Sequence, residues 1–307
     1  MYIKNFFVII CFILILVSCS QSEEGIDIVE EHNPDNDQSF IIVNAIDLYA
    51  SYLEEVIETG LTYEEKMDKY KSIVIEPIYD QCYKDPEYNI DFLTQNIPDE
   101  NYEKELLNNV KEADKEKIYA DILESLISSS NEIPTENNTT ICIIPNSNPD
   151  FTTGYSQGSN KIILLYDENR KDSIKNTIAH EYHHSVWTEK YYKNHKELTL
   201  LDNMIFEGKA IMFEEMLYPE HMDIPIYPNF NLSMWEAIED ELFKTDEDRI
   251  FQVMQGYQPF PANYGYSEGY KMVDSFLEKH PDLTSEEWLG IEAQVVLEEG
   301  EYLSNYE

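Results

Sequence analysis

Residues 180–184 read His180-Glu181-Tyr182-His183-His184, an HExxH pattern. On an α-helix, residues four apart share a face one turn apart, so His180 and His184 can offer two imidazole nitrogens to one metal ion. Glu181 projects beside them, placed to act as general base on a water held there. A third donor is available downstream: Glu207, in Phe206-Glu207-Gly208-Lys209-Ala210, follows His184 by 23 residues, enough to end one helix, turn and return antiparallel. Two imidazoles and a carboxylate leave a fourth position for water, as in a catalytic rather than a structural zinc site. Asp202, Glu214 and Glu215 are rivals for the third place, and Asp202 is alternatively a carboxylate that orients a liganding imidazole. His183 points off the ligand axis and reads as a supporting or surface residue. Tyr266 is a candidate donor to an oxyanion, with core packing as the alternative among 23 tyrosines.

These residues need elements to hold them. No Gly or Pro interrupts Ile174 to Tyr192, and Asp172 or Ser173 stands where an N-cap belongs. A second helix spans roughly 198–217 and stops before Pro219. Upstream, 139–145 (TTICIIP) and 160–166 (NKIILLY) read as strands joined by a turn-rich stretch. Segment 39–59 has apolar residues at helical spacing, 62–80 opens on the capping-box pattern Thr62-Tyr63-Glu64-Glu65 and runs to Pro77, and 100–128 is a charged helix or helix pair. Helices near 232–244, 266–280 and 284–298 complete the chain.

Competing chemistries fail on context. The pentads Gly154-Tyr155-Ser156-Gln157-Gly158 and Gly265-Tyr266-Ser267-Glu268-Gly269 match GxSxG, but neither lies between a strand and a helix as a serine nucleophile requires. A di-iron bundle needs a second Glu-x-x-His, and no other histidine has a glutamate three positions before it. No CxxC, P-loop or dinucleotide fingerprint is present.

HExxH followed by a glutamate on the next helix resembles the gluzincin group, to which thermolysin belongs. The metzincin pattern is absent: its third histidine would fall on Lys190 and its glycine on Trp187. More closely, HEYHH, then FEGKA, then Tyr264-Gly265-Tyr266-Ser267-Glu268-Gly269-Tyr270 resembles the YjaZ-like predicted zinc-protease domain of bacteria, across about residues 140–275. Lys209 departs from that family's usual apolar residue. The resemblance implies a zincin-like core, zinc and peptide hydrolysis. It also implies a strand near 160–166 whose edge pairs with extended substrate backbone.

The chain has 307 residues, with 61 Asp and Glu against 21 Lys and Arg, a formal charge of -40. Such a charge excludes a nucleic-acid binder, which needs clustered cations, and electrostatic docking on anionic lipid. With 42% hydrophobic and 13% aromatic residues, the chain has the material for a core. Behind Lys4 runs the apolar stretch Phe6 to Val17, about 18 Å of helix and too short to cross a bilayer. It reads as a signal peptide, and Leu16-Val17-Ser18-Cys19 resembles the bacterial lipobox, which makes Cys19 the lipidated residue. Of the remaining cysteines, Cys82 and Cys142 read as two buried thiols, a disulfide being the alternative in an exported protein.

The expected organisation is a leader at 1–19, an acidic linker at 20–38, a helical N-terminal region at 39–138 and a zincin-like catalytic region at 139–307. The fold class is α+β, mainly helical, with a small sheet next to the HExxH helix. The expected function is a zinc-dependent peptidase, exported and lipid-anchored to a bacterial cell membrane, with His180, His184 and Glu207 on Zn2+ and Glu181 and Tyr266 catalytic. The expected partners are a peptide or protein substrate and the membrane through the lipid, with no nucleic acid. The alternatives are a non-enzymatic surface lipoprotein that binds a partner and keeps a vestigial metal site, and a hydrolase of cell-wall amides.

Overall fold

Three short runs rich in β-branched and aliphatic residues, SFIIVN, TTICIIP and KIILLY, have almost no exposed position and build the centre of a sheet. The computed structural model describes residues 26–148, 152–192, 197–220 and 224–306. The leader and Cys19 lie outside these residues. Five strands, β1 (Asp27–His32), β2 (Ser39–Asn44), β3 (Thr139–Pro145), β4 (Gly154–Ser156) and β5 (Lys161–Tyr166), stand in the order β1-β2-β3-β5-β4. The central pairs β2–β3 and β3–β5 are parallel, and both outer strands run antiparallel to their neighbours. The class is therefore α+β, mainly helical, as the sequence suggests.

The long crossover from β2 to β3 carries α1 (Ile46–Val56), α2 (Tyr63–Tyr70), α3 (Glu76–Cys82), α4 (Asp91–Gln95), α5 (Glu103–Glu112) and α6 (Lys115–Glu132). Helices α1, α3 and α5 pack on the middle of the sheet. After β5 come α7 (Ile174–Tyr191), lying over β4 and β5 and along α6, and α8 (Leu200–Leu217), packed on α7. The remainder is α9 (Leu232–Trp235), α10 (Glu247–Gln255), α11 (Tyr264–Lys279), α12 (Ser285–Leu289) and α13 (Ala293–Glu299). No helix among the described residues is long and apolar enough to cross a membrane.

Several expectations need correction. The stretch 39–59 is not one helix: its first six residues form β2, and the helix starts at Ile46, whose N–H donates to Asn44 Oδ1 at 2.8 Å. The assigned linker contains β1, joined to β2 by a tight loop in which Asn33 N–H donates to Gln38 O and the side chains of Asn33 and Asn36 close turns. Its acidic residues conceal an edge strand, where side chains face water and no apolar alternation is needed. Pro77 does not end the helical run. A π-helical turn at Lys71–Ile75 widens the coil, and the proline falls in the first turn of α3, where its missing N–H has no partner to lose. Ser173 precedes α7 but its hydroxyl donates to Arg170 O rather than capping the helix. The strand at 161–166 is interior, and β4 is the free edge.

Cys82 and Cys142 form a disulfide, their Cα atoms 5.9 Å apart, in place of the two thiols expected. A separation of 60 along the chain hides the fact that the end of α3 lies on β3.

Helices α8 and α11 touch backbone to backbone. A Cβ at Gly208 would lie 2.2 Å from the carbonyl carbon of Gly269, and one at Gly269 would lie 1.8 Å from Met204 O. Neither backbone can yield without separating the helices. Gly208→Ala is expected to cost about 3 kcal/mol or more by urea unfolding. A variant with wild-type stability would show that the helices do not cross this closely.

Candidate metal centre

All of α7 from Thr177 to Thr188 is buried, because the helix lies between the sheet, α6 and α8. Helix α8 begins at a capping box in which Thr199 and Asp202 exchange bonds, and this occupies the Asp202 carboxylate at 2.7 and 2.9 Å. Asp202 is therefore neither ligand nor imidazole partner. Two turns further on, α8 brings Glu207 against the HExxH face.

Three donor atoms meet there. His180 Nε2 and His184 Nε2 lie 3.0 Å apart, and Glu207 Oε2 lies 3.2 Å from each. A triangle of that size has points about 2 Å from all three corners, the length of zinc bonds to nitrogen and oxygen. Two imidazoles and a carboxylate are also the donor set of a catalytic zinc, so the residues fit the ion. The three residues that the sequence singled out come together, and Glu215 does not join them; its carboxylate takes the Tyr270 hydroxyl.

Glu214 has a different place from the one considered for it. Its carboxylate meets His180 Nδ1 at 3.1 Å, which fixes the ring with Nε2 toward the other donors. The seven-residue spacing from Glu207 put both on one face of α8, and this was the only signal in the sequence. His184 is held by packing, its ring stacked 3.9 Å from Phe206. His183 is not at the surface: it is fully buried, stacked on Trp288 and tilted against Phe213, and burial pushes its pKa well below the ordinary value.

Burial opposes charge on His180, but bonds to Glu207 and Glu214 outweigh it and hold the imidazole pKa well above 6.5. Burial works against the Glu207 carboxylate too, yet the fields of His184 and His180 bring it down to about 2. Glu181 lies beside the triad, raised above 4.5 chiefly by burial, with the Ser156 backbone N–H donating to it. At Gly154 on β4 a Cβ would sit 3.0 Å from Glu181 Cγ and 2.6 Å from Thr177 Cγ2, so the edge strand runs directly along the HExxH helix. Tyr266, one turn before Gly269, faces Glu207, whose charge is the first cause of a phenol pKa well above 10, followed by burial.

Lys209 is buried, and its ammonium donates to Leu289 O and Ile291 O, the carbonyls left open where Gly290 breaks α12 from α13. Burial lowers its pKa to about 7. The residue that departs from the family habit thus ties α8 to the C-terminal helices.

An α+β, mainly helical fold with an HExxH helix, a glutamate from the following helix and an adjoining edge strand defines the class as an HExxH…E metalloprotein. Residues 119–298, well over half of the chain, match the family described as predicted Zn-dependent protease (DUF2268), and the chain belongs to that family. No curated protein and no solved structure matches it.

In the metal-free protein the bonds to Glu207 and Glu214 favour the protonated His180 ring. Its contribution to stability is fully present below the unfolded imidazole value near 6.5 and is lost as the pH rises through the higher folded value. A metal ion needs the neutral ring. Calorimetry in two buffers at pH 7 is therefore expected to show about one proton released per zinc bound, with affinity falling as the pH is lowered. Heats independent of buffer would contradict this charge state.

Proposed function

We propose that this protein is a zinc-dependent peptidase, exported and held at a bacterial membrane through a lipid on Cys19. The observation that carries the catalytic part is the approach of His180 Nε2, His184 Nε2 and Glu207 Oε2 to within 3.2 Å of one another beside the Glu181 carboxylate. The Cys82–Cys142 disulfide, a bond of oxidising compartments, supports export, as does the leader ending in Leu16-Val17-Ser18-Cys19.

Zinc bound by these three donors supplies Lewis acidity and a water that ionises near neutral pH. The protein's own groups do the rest. Glu181, raised toward neutrality by burial, accepts the proton of the attacking water and returns it to the departing amine. Ser156 N–H aims that carboxylate, and Glu214 keeps His180 in the tautomer with a free Nε2. Tyr266, kept protonated by the charge of Glu207 and by burial, donates its phenol to the developing oxyanion. The free edge of β4 alongside supplies main-chain partners for an extended peptide. A partner-binding lipoprotein with a vestigial site has no use for this buried acid poised next to three metal donors.

Glu181→Gln is expected to keep stoichiometric zinc and lose at least about 10³-fold in kcat on a peptide library. Full zinc occupancy with undiminished cleavage would sink the mechanism. Tyr266→Phe should lower kcat by about 10²-fold with little change in KM or zinc content.

A further inference from the structure

We infer that residues 83–96, which lie outside the span matched to the protease family, form a fixed strap across one end of the substrate cleft, so that the site takes the amino-terminal end of a peptide rather than the middle of a chain. The inference rests on the peptidase reading and adds the substrate class to it.

The free edge of β4 sets the direction of a bound peptide. Thr153 O accepts from Leu165 N and Gln157 N donates to Lys161 O, both toward β5. In an antiparallel ladder the intervening residues, Gly154 and Ser156, turn their main-chain groups to the open side. A peptide laid antiparallel on this edge begins at the Gln157 end and runs toward Thr153.

At Gln157 the path is already occupied. The backbone N–H groups of Glu87 and Tyr88 donate to Gln157 O at 2.9 and 3.2 Å. The Glu87 carboxylate accepts from Ser159 N and Oγ at 2.6 and 2.7 Å, and a Cβ at Gly158 would fall 2.5 Å from it. From there the strap reaches across to the HExxH helix. The Tyr88 hydroxyl lies 2.7 Å from Thr188 Oγ1, which donates to His184 O at 2.7 Å. The Phe92 ring meets Tyr155 of β4 edge to face at 5.2 Å. Burial, with smaller contributions from Tyr192 and Glu87 and against the hydrogen bond to Thr188, raises the Tyr88 phenol to about 12.

The strap is anchored at its base. Cys82, the residue before it, is bonded to Cys142 of β3, and Gln157 Nε2 donates to Cys82 O at 2.7 Å. It is a wall rather than a lid. Because the Ser156 N–H is directed at Glu181 and the strap begins one residue later, at about 3.4 Å per residue only about one to three residues fit before the scissile bond.

Two measurements on the zinc-loaded full chain test this. Peptides sharing one sequence and extended at the amino end by zero to about eight residues are titrated against Glu181→Gln, with tenfold or greater weakening expected beyond about three residues. The first products of the wild type from a library of long peptides, read by mass spectrometry, should come from bonds near the amino terminus. The double variant Glu87→Ala, Tyr88→Ala, which releases the strap from Ser159 and Thr188, should shift cleavage to later bonds. Equal affinity for extended peptides together with internal cleavage by the wild type would overturn the strap and leave the peptidase reading standing. Absence of both binding and cleavage at every length would overturn both.

Discussion

Two imidazoles and three carboxylates share a nearly dry space between α7 and α8. Glu207 and Glu214 each touch His180, and Glu181 stands alongside. Buried carboxylates repel one another and resist losing their hydration, so such a cluster needs positive charge at its centre. Without metal, a proton on His180 supplies part of it. A divalent ion held by His180, His184 and Glu207 would supply more. The rest of the structure follows from holding that cluster still.

The two helices that carry the donors are fixed by unlike means. Helix α7 is locked by burial, with its Tyr182 hydroxyl sharing its one proton between Gln38 Oε1 and the carbonyl of Ile133. Helix α8 is held by the glycine contact with α11 and by the buried ammonium of Lys209 on the break between α12 and α13. The contact that admits α11 so closely also brings Tyr266 to face Glu207. A single close approach of two backbones thus sets both the third metal donor and the phenol opposite it.

The N-terminal half does more than precede the site. Strand β2 lies at the core of the sheet, and the crossover from it to β3 sends residues 83–96 past the end of β4. The disulfide stands where that crossover returns to the sheet. A helical region that looks separate along the chain therefore builds one wall of the cleft.

The short-range part of this was legible in the sequence. His180 and His184 share a face because a helix repeats every 3.6 residues, and the capping box at Thr62, the unbroken run of α7 and the apolar strands β3 and β5 are all written in adjacent residues. Glu207 could be singled out by spacing, but spacing did not separate it from Asp202, Glu214 and Glu215. Only packing did that, by drawing Asp202 into a cap, Glu215 onto Tyr270 and Glu214 onto the far nitrogen of His180. The acidic strand β1, the strand at the head of the supposed first helix and the free edge at β4 are not legible in adjacent residues, and the pairing of Cys82 with Cys142 stands there only as an alternative, for one reason. Each depends on which distant segment lies beside it, and local propensity carries no record of a neighbour supplied by a hydrogen-bond ladder or a helix arriving from elsewhere in the chain.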